Sequence, residues 1–278
     1  MSSKIAGKFL YVPKDTIPLL EELCSDNDYL SFHRYVMKSE EVKNNRKGEQ
    51  FKPFQIPCRK DMDIRKQMLN RQRELQSLAI RAFENVLKFQ LDFKDKLMVS
   101  VGGNSIYSNL AITVLHPLYG HPYIPSSALK GVVRHCWIHE KFEGNQKKAL
   151  QDPLFVKCFG KADGQDESVI ESQGGVLIFF DGILAEKEYK LVEEVVTPHY
   201  SEYYNTKGEK EPTDDQKLNI LNIRVLKDSS FIINIAISDL FLEEELFVVK
   251  KIIKIAFEDY GLGAKTAVGY GLGTIQNL

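Results

Sequence analysis

The sequence is short of most features that place a protein in a class at sight. No apolar run approaches the ~20 residues that a membrane-spanning helix requires. The amino-terminal run Met1–Asp15 has neither the apolar core nor the small-residue cleavage site of a secretory signal. A cytoplasmic location is the expectation. Cysteine is scarce and scattered: Cys24, Cys58, Cys136 and Cys158 include no C-x-x-C pair. That excludes a disulfide framework and predicts reduced, mostly buried thiols, with Cys136 set among Val132, Val133 and Trp137. No repeat and no low-complexity tract is present. The formal net charge is −1, so no global basic signal points to nucleic acid.

What is present is unevenly distributed. Residues 59–96 hold ten Lys or Arg against six Asp or Glu, while residues 163–211 hold four against twelve. Such segregation permits a local basic surface, although a solvated helix face explains the basic segment equally well. Residues 17–37 read as one or two short helices and residues 39–53 as an exposed loop. From Asp63, the spacing of Ile64, Met68, Leu75, Leu78, Ala82 and Val86 predicts a long helix carrying Arg65, Arg71, Arg73 and Arg81.

The pattern then changes. A strand is predicted at 96–101, then a helix opened and capped by Ser126 and Ser127 and running through Trp137. Strands at 174–184 and 231–237 follow, then a helix at 242–261 with acidic residues first, and a short closing strand at 267–276. The order β-α-β-β-α-β is that of the ferredoxin-like fold, which RNA-recognition domains share. The fold class is therefore α+β. Residues 1–95 form a helical extension, and residues 96–278 form the sheet domain with long insertions at 102–125, 144–173 and 185–230.

Between Gly261 and Gly273 lie five glycines in thirteen residues. They include Gly261, Gly263, Gly269 and Gly271, with Lys265 and Thr266 between them. A backbone of this kind can approach a phosphate and offer it N–H groups. Two nucleotide loops are excluded. Ala264, not Gly, precedes Lys265, so no Walker A motif is present, and Thr266 occupies the last position of a G-x-G-x-x-G begun at Gly261. A helix C-cap followed by a bulged edge strand accounts for the same glycines, and spacing alone leaves both readings standing.

Four segments in the right order carry a resemblance. Gly263-x5-Gly269-x-Gly271 is similar to the C-terminal glycine-rich loop of the RAMP superfamily of CRISPR-associated proteins. Tyr123-Ile-Pro125-Ser126-Ser127-Ala-Leu-Lys130-Gly131-Val-Val-Arg134 resembles the signature opening the first helix of the backbone subunits. The departure is Pro-Ser-Ser where many members have Pro-Gly-Ser. Gly174-Gly175-Val-Leu-Ile-Phe-Phe-Asp181 resembles the second-strand pattern. Thr197-Pro198-His199-Tyr200, with Tyr203, Tyr204 and Pro212-Thr213-Asp214, resembles the sixth subunits of type III-B (Cmr) effector complexes.

The resemblance implies a non-catalytic RNA-binding subunit that holds guide RNA near its 3′ end and caps the backbone filament. Its partners would be guide and target RNA, a neighbouring Cmr backbone subunit and the first Cmr subunit. Ser126, Ser127, Lys130 and Arg134 would meet the RNA backbone together with the glycine-rich loop, reading shape and charge. A capping serine with two solvated cations is the plainer account of the helix start. His199, Tyr200, Tyr203 and Tyr204 could stack on bases or wedge a duplex; packing on the protein's own surface suits them equally.

No metal or cofactor is expected. His135 and His139, four apart, with Cys158 as a remote third ligand, make an incomplete zinc set. A metal-free endoribonuclease that processes guide precursors is the alternative, with His199, Tyr200 and Lys207, or His33 and Tyr35, as acid and base. Related slicing subunits carry a catalytic aspartate after the first strand, and residues 102–109 contain none.

Overall fold

The computed structural model describes residues 8–10, 27–33, 36–38, 51–53, 62–99, 110–161, 173–186, 188–196 and 221–277, with Thr206, Glu209 and Glu211 singly. Strands β1 (Lys8–Leu10), β2 (Val36–Lys38) and β3 (Phe51–Pro53) form a small antiparallel sheet in that order, beside helix α1 (Asp28–His33). The sequence pattern predicts only helix and loop there. Strands of three residues are too short to display an alternation of apolar and polar positions.

Helix α2 (Met62–Ile80) ends earlier than its spacing implies, and strand β4 (Asn85–Leu97) starts where the helix was expected to continue. Val86 satisfied the helical period by coincidence. The period-two alternation of Leu87, Phe89, Leu91 and Phe93, all buried, decides the segment. Of the strand expected at 96–101, only Lys96 and Leu97 are strand, as the end of β4; residues 100 and 101 lie outside the described residues.

Strands β5 (Leu110–Ile112) and β6 (Tyr123–Ile124) lead into helix α3 (Ser126–Phe142). Short helices α4 (Gln146–Ala149) and α5 (Pro153–Phe159) and the β7–β8 ribbon (Gly160–Lys161, Gln173–Gly174) follow. The strand expected at 174–184 is divided at Phe180-Asp181 into β9 (Leu177–Phe179) and β10 (Gly182–Leu184). Strand β11 (Lys190–Val196) pairs with β12 (Leu221–Ile237), which begins ten residues earlier than the apolar run 231–237 suggests. Lys227-Asp228-Ser229-Ser230 has the composition of a turn, yet the strand continues through it as a bulge with Asp228 at φ 50°. Helix α6 (Glu243–Ile255), a π turn (Ala256–Tyr260), a 3-10 turn (Thr266–Val268) and β13 (Thr274–Gln276) complete the described chain.

The main sheet has the order β13-β4-β12-β10, each neighbour antiparallel. Numbered within the β-α-β-β-α-β unit, that is fourth, first, third, second: the ferredoxin-like arrangement. One core fills the face that bears Phe89, Phe231, Ile233 and Ile235, under Val133, Cys136 and Trp137 of α3 and Ile252 and Ile253 of α6. Cys136 and Cys158 are free and buried, and burial pushes both thiols up to about 12; Cys24 and Cys58 lie outside the described residues.

The opposite face is treated differently. Helix α2 lies against it through buried Leu69 and through hydrogen bonds: Arg73 Nη2 donates to the Leu184 and Ala185 carbonyls at 2.6 and 2.7 Å, and Gln76 Nε2 donates to that of Asp181 at 2.7 Å. The apolar stripe that made α2 legible as a helix points outward instead, with Leu75 and Leu78 43% and 55% exposed. Among the described residues no helix is long and apolar enough to cross a membrane.

Candidate nucleic-acid interface

Helix α3 starts directly after Pro125, whose fixed φ of −57° suits a helix entry. Neither serine caps it, contrary to the sequence expectation. Ser126 is already helical, and its backbone amide donates to Asp181 Oδ1 at 2.7 Å. The cap therefore comes from the break between β9 and β10, where a carboxylate faces the positive end of the helix. Ser127 is exposed and Lys130 half-buried on the following turn. Arg134, one turn further on the same face, holds its guanidinium 5.4 Å from the Phe155 ring centroid, and burial lowers its pKa. It is braced by α5 while its charge remains partly open to solvent.

The glycine-rich loop is held mainly by its own backbone. Eight of its amides, those of residues 261, 262, 264, 268, 269, 270, 271 and 273, donate to carbonyls of the chain. Two of these bonds attach it to the end of β4: Gly271 N to Lys96 O and Ala264 N to Met98 O, both 2.8 Å. The glycines permit this closeness. A Cβ at Gly263 would lie 2.3 Å from Met98 O, and one at Gly271 would lie 1.9 Å from Leu262 O, both at positive φ. Close approach to the chain's own backbone, as in the bulged-strand reading, thus accounts for these two positions.

Beneath the loop, Tyr270 packs in a small second core with Met98, Ile223 and Val225. Its hydroxyl donates to Glu194 of β11, which also pairs with Lys96. That hydrogen-bonded partner holds the Lys96 pKa above its ordinary value. Lys265 adopts a left-handed conformation (φ 63°) and stands exposed, its Nζ 5.4 Å from the Tyr270 ring centroid. Lys96 Nζ lies at the same distance from that ring. Two ammonium groups are thus gathered around one anchored tyrosine.

A family model described as the RAMP superfamily matches residues 101–273, which include both the helix start and the loop. The chain belongs to the RAMP superfamily. A relative from Pyrococcus furiosus, CRISPR system Cmr subunit Cmr6, is 31% identical over 64% of this chain and 64% of its own length. The chain thus spans just under two thirds of that relative. A structure of the type III-B Cmr-beta complex bound to cognate target RNA contains a chain that superposes with a TM-score of 0.56. That match is 20% identical and covers 76% of this chain and 65% of the other.

Within this RAMP domain the two candidate segments stand apart. Ile232 pairs with both Gln90 and Ile183, and Gly182 pairs with Ile124, so α3 begins level with the middle of β4. The loop is bonded to Lys96 and Met98. At ~3.3 Å per residue the two stations are roughly 20 Å apart along the strand. They do not form a single pocket.

His199, Tyr200, Tyr203 and Tyr204 lie outside the described residues, as do residues 100–109. His135 and His139 bring their rings to 4.3 Å beside Tyr260. Among the described residues no three metal-ligating side chains converge, and burial keeps Cys158 a neutral thiol.

Two groups were missed by the sequence reasoning. Asp181, quoted only as the end of a strand pattern, is the helix cap. The run His116-Pro-Leu-Tyr119-Gly-His121-Pro-Tyr123 folds as a hairpin of packed rings beside the start of α3, with Tyr119 stacked on His121 and Tyr123 edge-on to His116. Two histidines and two tyrosines within eight residues were the available signal. Both histidines serve the fold: His116 Nδ1 accepts the Leu118 and Tyr119 amides, and buried His121 bonds Gln72 Oε1 at 2.6 Å. Burial lowers the His121 pKa to about 4.

Proposed function

We propose that the chain is a non-catalytic RNA-binding subunit of a type III-B (Cmr) CRISPR effector complex. It holds guide RNA near the 3′ end and caps the backbone filament, next to a backbone subunit and the first Cmr subunit. Family membership, the likeness to a Cmr6 protein and the ferredoxin-like fold support this reading. The observation that carries it is the glycine-rich loop tied by backbone hydrogen bonds to the end of β4, presenting an exposed Lys265 beside the anchored Tyr270 ring. A rigid cationic loop and a second cationic station at Ser127, Lys130 and Arg134 suit an extended phosphate backbone read by charge and shape.

The test is salt-dependent binding of a repeat-derived guide RNA to the purified chain. Lys130→Ala, Arg134→Ala and Lys265→Ala should each weaken binding and each lower the salt slope by about 0.7. Indifference of binding to all three changes would remove the site assignment. Recovery of Cmr subunits and guide RNA on co-purification from the native host tests the assembly.

A further inference from the structure

Helix α6 buries Val249, Ile252 and Ile253 and turns a second stripe away from the core. Phe247 stands at the centre of that stripe, 70% exposed. At ~3.6 residues per turn, Glu243, Glu244, Lys250, Lys251 and Lys254 all lie within ~60° of Phe247 around the helix axis. A groove of about 440 Å³ runs beside the stripe, lined by Phe247, the three lysines and Ile275 of β13.

The charges on the stripe are segregated, with the two glutamates before the ring and the lysines after it. Complementing the helix dipole accounts for Glu243 and Glu244 in the first turn and Lys254 in the last. That effect fades within one turn and does not reach Lys250 or Lys251. Pairing along the helix requires a separation of about three or four residues, and both lysines are too far from Glu243 and Glu244 for it. Lys254 approaches Glu258 at 3.8 Å, while Glu243, Glu244, Lys250 and Lys251 form no ion pair among the described residues.

These four charges, unmatched on their own helix, match the same helix reversed. Turned about a two-fold axis at Phe247, a second α6 runs antiparallel to the first. It sets the partner's Lys250 level with Glu243 and the partner's Lys251 level with Glu244, each to within ~1.5 Å along the axis. Glu243 and Lys250 share one side of the ring and Glu244 and Lys251 the other, so both pairs form together and each forms twice. The two Phe247 rings meet at the axis, next to the grooves beside Ile275. We propose that α6 is a self-association surface that joins two copies of this chain as an antiparallel helix pair. RNA or an acidic protein would use the lysines and leave Glu243 and Glu244 facing like charge. A partner satisfying both signs needs the reversed pattern, and the chain itself carries it. A two-fold contact closes on itself, so the product is a dimer and not a filament. One helix face is a small interface, and the dissociation constant should be on the order of 100 µM. The inference does not depend on the guide-RNA reading.

The experiment is sedimentation equilibrium of the full chain from ~10 µM to ~1 mM, at low and at high salt. The variants are Phe247→Ala, an acidic double change (Lys250→Glu with Lys251→Glu) and a basic one (Glu243→Lys with Glu244→Lys). All five positions lie on the outward stripe, and circular dichroism checks that each variant is folded. The parent should dimerise, more weakly at high salt, and Phe247→Ala should weaken the dimer about tenfold or more. Each double variant alone should stay monomeric, and an equimolar mixture of the two should restore a dimer containing one copy of each. A parent that stays monomeric overturns the proposal, as does a dimer that persists in both double variants or a mixture of folded variants that does not associate. A monomeric parent whose RNA affinity falls in the acidic variant overturns it in favour of RNA on this face. Lys130→Ala and Lys265→Ala should leave dimerisation unchanged, so failure of the guide-RNA reading is recognisable separately.

Discussion

The Asp181 carboxylate accepts the backbone amide of Ser126 at 2.7 Å, and the Asp181 carbonyl accepts Gln76 Nε2 at the same distance. One residue in the break of a strand thus caps α3 and ties α2 to the sheet. Asp181→Ala should cost about 1–2 kcal/mol of stability by chemical denaturation, and Asp181→Asn, which keeps an acceptor, less. Because the carboxylate also opposes phosphate at the helix start, Asp181→Asn should bind RNA more tightly at low salt. Unchanged or weaker binding would mean that this helix end does not face the RNA backbone.

Gly131 and Gly271 should respond in opposite ways to alanine. Nothing lies within 4 Å of a Cβ at Gly131, which is exposed inside α3, so Gly131→Ala should stabilise the chain by about 0.5–1 kcal/mol. If RNA backbone approaches that helix face, the same change should lower RNA affinity. Gly271→Ala places its Cβ 1.9 Å from Leu262 O at φ 68° and should destabilise by more than about 2 kcal/mol. Thermal melts with matched binding isotherms separate the two effects.

His121 supplies a pH dependence. Its pKa is depressed from 6.5 to about 4 by burial, next by His116, so the folded state favours the neutral ring. The unfolded chain binds more protons between those values. The stabilisation is complete above about pH 6.5 and is lost as pH falls toward 4, at most about 3 kcal/mol. Urea midpoints measured from pH 7 to 4 should show this loss, and His121→Gln should flatten it.

Repeat RNA incubated with the chain in EDTA should remain intact. Specific cleavage abolished by His199→Ala would establish the endoribonuclease alternative and overturn the non-catalytic reading.

The order β-α-β-β-α-β could be read from the chain because each element buries one face with its own period, as FIINIAI in β12 and the helical spacing in α6 show. The helix start at Pro125-Ser126 and the glycines from 261 to 273 were legible for a similar reason: local backbone geometry restricts residue type there. The start of β4 was misplaced because Ala82 and Val86 satisfied a helical period that the buried Leu87–Phe93 alternation overrides. The bulge at Asp228 was missed because only pairing with β4 carries the strand through a polar stretch.

By itself, the sequence determined the β-α-β-β-α-β order of the larger elements and marked two segments whose residue types suit a phosphate backbone. Only the tertiary structure decided that Asp181 caps α3, that Tyr270, Glu194 and Lys96 anchor the glycine-rich loop, and that α2 docks through Leu69, Arg73 and Gln76 and leaves a cavity beneath it. Periodicity is local and is written in neighbouring residues. Caps, ion pairs and the choice of docking face depend on groups that meet only when distant segments are packed, and a single chain read in order carries no sign of those meetings.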